Sequence, residues 1–267
     1  MGWGCPEVSD GSDDLRDGFQ ENLLKELIPE KSTARLNFQQ SFLQMTGKGF
    51  ASPQNLGKVF EVVSRCWWGG KLTGSTLYRF EYKENEFDKK EVEVLKPDLW
   101  DVDRRVITEV KACQTGHALN LLSRQMDGYS RLAESLPDYS IRFVIFRHQV
   151  RGIHSYSGST ADLVSMAART VQWALILPLS VVSSLYSDYR ISGRIYAGNG
   201  FDACTVIRSR FLNWLFQDPE AALAANGFQE KVTVRRWWSP GDFRINGILF
   251  RQFPVAEVEV SGDVVPF

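Results

Sequence analysis

The stretch "KPDLWDVDRRVITEVKA", residues 96–112, opens on a Pro-Asp and carries a glutamate and a lysine two residues apart near its end. Its apolar segments flank the polar turn Asp103-Arg104-Arg105, a pattern that predicts two short strands joined as a hairpin. Residues two apart in a strand share a face, so Glu109 and Lys111 project together while Val110 points the other way. The partner strand runs back from the turn to Asp98, so three charged groups converge at one end of a small sheet. Two carboxylates packed together repel and raise each other's pKa, and a divalent cation compensates them. Mg²⁺ suits the oxygen set of Asp98, Glu109 and the Val110 carbonyl, because it is held by one or two carboxylates plus substrate phosphate. A cation held there polarises a phosphodiester, with Lys111 orienting the attacking water or stabilising developing charge. The chemistry implied is phosphodiester hydrolysis.

Working outward, "SPQNLGKVFEVVSRCWWGG" (residues 52–70) reads as a helix, with Ser52 as cap, Pro53 in the first turn and Gly69-Gly70 as its end. "STLYRFEY" and "KEVEVL" alternate as two half-buried strands around the charged turn "KENEFDKK". "HALNLLSRQMDGYSRLAESLP" (residues 117–137) follows as a helix, and "YSIRFVIFRHQV" (139–150) as a buried strand. An order of helix, three or four strands, helix and strand implies an α/β sandwich.

Beyond residue 150 the pattern turns helical. "TADLVSMAARTVQWAL" and "ACTVIRSRFLNWLF" have helical period, "PEAALAANG" reads as a short helix with Gly227 as its C-cap, and "VQWALILPLSVVSSLY" (171–186) as a buried helix and its continuation. That last run is shorter than the roughly 20 residues of a membrane span and contains Pro178, so no membrane partner is expected. "KVTVRRWWSPGDFRINGILFRQF" (231–253) holds strands broken at Pro240-Gly241 and at Asn246-Gly247, the latter a hairpin signal. With Arg208 and Arg210 on the preceding helix, this segment is loosely like a winged-helix unit.

The chain has 267 residues, 43% of them hydrophobic, enough for a sizeable core. Thirty-one basic against 32 acidic residues give a net charge of −1, so no global field recruits a polyanion and any such contact needs a local patch. Cys5, Cys66, Cys113 and Cys204 form no CxxC or Cys/His pair at zinc-ligand spacing. An intracellular, reducing and cytoplasmic setting is the simplest expectation. His117, His148 and His154 likewise lack ligand spacing, and the absence of a GxxxxGK[ST] loop argues against a nucleotide cofactor.

Pro97-Asp98, ten intervening residues, then Glu109-Val110-Lys111 on apolar strands after a helix resembles the PD-(D/E)xK nuclease superfamily, the restriction-endonuclease-like fold. The resemblance implies a mixed sheet flanked by helices, with Asp98 and Glu109 binding Mg²⁺ or Mn²⁺ and Lys111 assisting the water. Many members place a further glutamate on the helix before the sheet, and Glu61 is the matching position. RecB-like and phage-exonuclease-like branches carry a Gln and a Tyr four apart on the next helix, which Gln125 and Tyr129 match. The resemblance covers about residues 52–150.

The expected organisation is a disordered acidic tail (1–14), a helix over residues 15–27 opening a nuclease-like core (15–150), and a helical plus hairpin C-terminal region (151–267) serving DNA binding or oligomerisation. Arg104 and Arg105, in the hairpin turn, are candidate phosphate contacts. The expected activity is a metal-dependent deoxyribonuclease, internal cutting being favoured over cutting from an end, and a homodimer would suit cleavage of both strands. A ribonuclease, or a non-catalytic nucleic-acid-binding or assembly protein with a nuclease-like fold, remains open beside it.

Overall fold

The computed structural model describes residues 53–68, 71–72, 78–84, 89–95, 97–149, 160–188, 192–196, 201–228, 232–239, 244–245 and 247–261. The expected acidic tail, the helix over residues 15–27, the Ser52 cap, the Gly69-Gly70 stop and Pro240-Gly241 lie outside them. In chain order the elements are α1 (Pro53–Trp68), β1 (Lys71–Leu72), β2 (Tyr78–Glu84), β3 (Lys89–Leu95), β4 (Leu99–Asp101), β5 (Val106–Gln114), β6 (Leu119–Leu122), α2 (Ser123–Ser135) and β7 (Ser140–His148). Then come α3 (Thr160–Thr170), β8 (Val171–Pro178), α4 (Leu179–Asp188), β9 (Ser192–Tyr196), β10 (Phe201–Ile207), α5 (Ser209–Gln217), α6 (Pro219–Ala224), β11 (Val232–Trp238), β12 (Arg244–Ile245), β13 (Ile248–Leu249) and β14 (Pro254–Val260).

A mixed sheet of seven strands, in the order β1-β4-β5-β7-β8-β14-β11, forms the framework, with helices packed on both faces. The hairpin forms as expected: Leu99, Trp100 and Asp101 pair antiparallel with Thr108, Ile107 and Val106. β5 then pairs in parallel with β7 over nine residues, with α2 in the connection between them. Strands buried on both faces read as unbroken apolar runs, which is why Phe143–Phe146 and Ala174–Leu177 show no alternation and are buried throughout.

Parity along the strands assigns the faces. Phe60 of α1 stacks on Phe146 at 4.8 Å and on His148 at 5.6 Å, so α1 covers the face of the even-numbered residues of β7. Tyr129 of α2 meets Phe143 edge-on at 5.3 Å and takes the opposite face. α1 is amphipathic at helical spacing: Leu56, Val59, Phe60 and Val63 are all buried. Each such apolar side chain contributes about 1.5–3 kcal/mol on burial.

Several sequence expectations need correction. Residues 171–186 are a strand, β8, followed by the helix α4, because a central strand apolar on both faces has the same local pattern as a buried helix. For the same reason α3 stops at Thr170 rather than running on to residue 175. The expected helices over 117–137 and 203–216 each begin as strands, β6 and β10, which pair with one another across more than 80 residues of sequence. The C-terminal region is therefore not a helix-rich addition: β8, β14 and β11 complete the sheet begun by β4 and β5. Nor is α5-α6-β11 a winged-helix unit, since all seven residues of β11 are bonded to β14. β14, with its Val-Ala-Glu-Val-Glu-Val alternation, is a strand beyond those expected. The expected hairpin does form between β12 and β13, with Gly247 at φ 78°.

His148 is buried within this core, and burial, then Arg147 and His117, lowers its pKa to about 4. Between 4 and its ordinary 6.5 the unfolded chain binds the proton that the folded chain refuses, so this residue's support for the fold is complete above 6.5 and lost as the pH falls to 4. Its full protonation is worth about 3 kcal/mol. Urea midpoints of His148→Gln are expected to fall less steeply than those of the wild type over that interval; parallel profiles would show that His148 titrates normally.

Candidate active site

β4 is only three residues long, and its end decides the site. Beyond Leu99 the ladder stops, and the Asp98 carboxylate takes the place of a strand partner: its Oδ2 accepts the Val110 amide at 2.8 Å. The N–H and C=O of one strand residue point to the same edge, so the Val110 carbonyl also faces the Asp98 side. Pro97 has no amide hydrogen with which to continue the ladder.

Glu109 and Lys111 share the α2 face of β5, as their spacing requires. Glu109 is 2% exposed, and both of its oxygens are engaged. Lys111 Nζ donates to Oε1 at 2.5 Å, Gln125 Nε2 donates to the same oxygen, and the Tyr129 hydroxyl donates to Oε2. Gln125 in turn accepts from Lys111 Nζ at 2.9 Å through Oε1. Residues four apart on α2 face one way, so one helix delivers both donors. The helix sits close: a Cβ at Gly128 would lie 3.2 Å from Leu95 Cδ1 of β3.

Glu61 of α1 is buried at 8% exposure and is paired with Lys58, whose Nζ donates to its two oxygens at 2.6 and 2.8 Å. Glu61 is near enough to act electrostatically on Asp98, Lys111 and Tyr129. Lys58 is not among the residues expected from the sequence, although its i, i+3 spacing to Glu61 is a signal that could have found it.

The electrostatics follow from crowding acids in a buried place. Burial, then Glu109 and Glu61, pushes the Asp98 carboxyl well above the usual carboxylate range, against Lys111 and the Val110 amide. Burial alone would lower Lys111, but Glu109 and Asp98 outweigh it and hold the ammonium protonated above the ordinary lysine value. Burial, Glu109 and Asp98 push the Tyr129 phenol well up, so it stays a neutral donor.

Asp98, Glu109 and Glu61 form an all-oxygen, acidic donor set, and with the Val110 carbonyl it has the chemistry of a hard divalent cation site. Among the described residues no three or more His, Cys, Asp or Glu side chains are grouped so that they could hold a metal ion as they stand. Glu109 is turned instead to its three donors.

Arg104 and Arg105 are not brought to this site. They occupy the exposed turn at the other end of the hairpin, where four residues, roughly 13 Å of strand, separate Arg105 from Glu109. Arg104 Nε lies 3.8 Å from Asp101 and Arg105 bonds Asp138 at 3.2 Å. A recess of about 400 Å³, lined by Val106, Ser140, Arg142 and Glu257 among others, also lies at that end. Arg142 is held there by Thr108 at 3.1 Å, and Glu257 by Arg235 at 2.5 Å. No described helix is long and apolar enough to cross a membrane.

No family model, curated protein or solved structure matches the chain.

The raised Asp98 carboxyl binds a proton in the folded state that the unfolded chain has released above about 3.8, so it opposes folding at neutral pH. Asp98→Asn keeps an acceptor for the Val110 amide while removing the charge. In chelator at neutral pH it is expected to raise the melting temperature by about 2–4 °C for each kcal/mol relieved. A fall in melting temperature would show that the Asp98 charge stabilises the fold.

Proposed function

We propose that the chain is a Mg²⁺- or Mn²⁺-dependent deoxyribonuclease with a restriction-endonuclease-like core. The observation that carries this reading is the convergence of Asp98, Glu109, Lys111, Gln125 and Tyr129 where β4 ends beside β5. The order supports it as well: α1, the antiparallel strands β1-β4-β5, the helix α2 and the parallel strand β7 follow the arrangement that the motif implies.

A bound divalent cation would polarise the scissile phosphodiester and make a water acidic enough to attack. Asp98, Glu109 and the Val110 carbonyl would hold it, with Glu61 alongside. Lys111, kept protonated by its acidic neighbours, presents a cation to the water or to the charge developing on the phosphoryl oxygens. Gln125 bridges Lys111 and Glu109 and fixes the angle between them. Tyr129 anchors the Glu109 oxygen that Lys111 does not use, so the carboxylate cannot rotate away. DNA as the polymer, and internal cutting over cutting from an end, follow from the family resemblance. A pure binding protein gains nothing from burying like charges together, which speaks for catalysis.

The test is cleavage of closed circular and linear DNA with Mg²⁺ or Mn²⁺. The wild type is expected to cut both, and Lys111→Ala to lose roughly 10²- to 10³-fold in rate, the cost of removing one stabilising donor. Cutting of linear DNA alone would make the enzyme an exonuclease. Binding of DNA without cleavage in any metal or at any pH would favour a non-catalytic nucleic-acid-binding protein. Mn²⁺ is further expected to raise the melting temperature of the wild type and not that of Asp98→Asn; equal shifts would place the cation elsewhere.

A further inference from the structure

The face of β5 that carries Glu109 and Lys111 continues to Cys113, two residues or roughly 7 Å further along the strand. Cys113 is paired across the sheet with Arg147 of β7, and Arg147 with Trp173 of β8. Arg147 is 3% exposed, and among the described residues no acid pairs with it. Its guanidinium donates to the Cys113 thiol at 3.4 Å and to Asn213 Oδ1, and lies 5.6 Å from the centre of the Phe216 ring, which packs edge-on against Trp173 at 6.0 Å. Asn213 and Phe216 belong to α5, so this row clamps α5 on the same face of the sheet as the proposed active site.

α5 turns an aromatic and basic face outward. Trp214 is 41% exposed, one of three large hydrophobic side chains left open among the described residues. Phe211 packs against it at a right angle, 6.2 Å away, and limits its rotation. Arg210 lies four residues before Trp214 and so shares its side of the helix, and Arg208 stands at the helix entrance. Both arginines are exposed and pair with no acid among the described residues. The neighbouring acids are engaged: Asp218 caps α6 through the Ala221 amide at 3.1 Å, and Glu220 pairs with Arg236. An open indole beside two exposed arginines that no described acid pairs, in a chain of net charge −1, is the local patch that a polyanion with exposed base faces needs.

The geometry points to the outer face of α5 as a docking surface for single-stranded DNA: Trp214 stacks on an unpaired base, and Arg208 and Arg210 contact the flanking phosphates. Stacking requires a free base face, which a paired duplex does not offer. The inference deepens the nuclease reading by naming the strand that reaches the site, and it rests on that reading for the choice of DNA. The buried Arg147 acts through Asn213 and Phe216 as a positioning residue for α5.

The test measures binding of a fluorescein-labelled dT oligonucleotide and of a blunt duplex to the full chain by anisotropy, with chelator present to prevent cutting. Trp214→Ala is expected to weaken oligonucleotide binding by about tenfold or more, and duplex binding by less than about twofold. Trp214→Phe, which keeps a ring, is expected to retain most of the affinity and to show that the loss is not misfolding. Arg208→Ala with Arg210→Ala is expected to reduce the slope of log affinity against log salt by about 1.4, or about 0.7 for each phosphate that the variant no longer neutralises. Unchanged oligonucleotide binding by Trp214→Ala, or an equal loss for strand and duplex, overturns the proposal. Binding through Trp214 without cleavage in Mg²⁺ or Mn²⁺ upholds it while the nuclease reading fails; cleavage that is indifferent to Trp214 does the reverse.

Discussion

The buried carboxylate of Glu109 is the constraint on which the centre of the molecule depends. Taking a charge out of water costs several kcal/mol unless it is paired and hydrogen-bonded. Three donors from two elements meet it: Lys111 on its own strand, and Gln125 and Tyr129 on α2. Removing any of them would leave a buried anion short of a partner. The packing of α2 on the sheet is thus fixed by polar chemistry as well as by Met126 and Leu132, and Gly128 permits the close approach of Leu95.

The second acid is positioned by an interruption. A longer β4 would have bonded the Val110 edge of β5 with its own backbone and left no room for Asp98. Because Pro97 cannot donate and β4 is short, a side chain substitutes for the ladder, and an amide and a carbonyl of a central strand face a carboxylate. The result is a concentration of acid that the fold tolerates at a cost: Asp98 is pressed by Glu109 and Glu61, and Lys111 and the Val110 amide oppose them. A structure optimised for stability alone would not keep this arrangement, which is the physical argument for function at this place.

What was legible in the sequence was what obeys local periodicity. The i, i+2 relation of Glu109 and Lys111, the i, i+4 relation of Gln125 and Tyr129, and the hairpin between Asp98 and Glu109 all follow from spacing within one or two elements. What was not legible depended on partners distant in the chain. β6 and β10 look like helix entrances until each is placed against the other, and β8 looks like a buried helix until β7 and β14 flank it. Arg104 and Arg105 show a different limit, since closeness in sequence to Glu109 concealed that a strand carries them to the opposite end of the hairpin. Arg147 left a faint trace, an arginine at the end of an apolar run, whose meaning lies in its bonding to Cys113 and Asn213 and its place over Phe216, which no spacing rule connects.

The completion of the sheet by residues after 150 changes how the site is held. β5 and β7 supply its floor, but β7 is paired along its other edge with β8, and β8 with β14. Without those strands β7 would be an open edge of nearly continuous apolar residues, a state that invites association rather than a rigid floor. The row Cys113-Arg147-Trp173 carries the same dependence to the surface, because it joins the strand bearing Lys111 to the helix bearing Trp214. The C-terminal half is therefore the frame that keeps the acidic centre rigid, and the aromatic and basic face of α5 lies at the outer end of that frame.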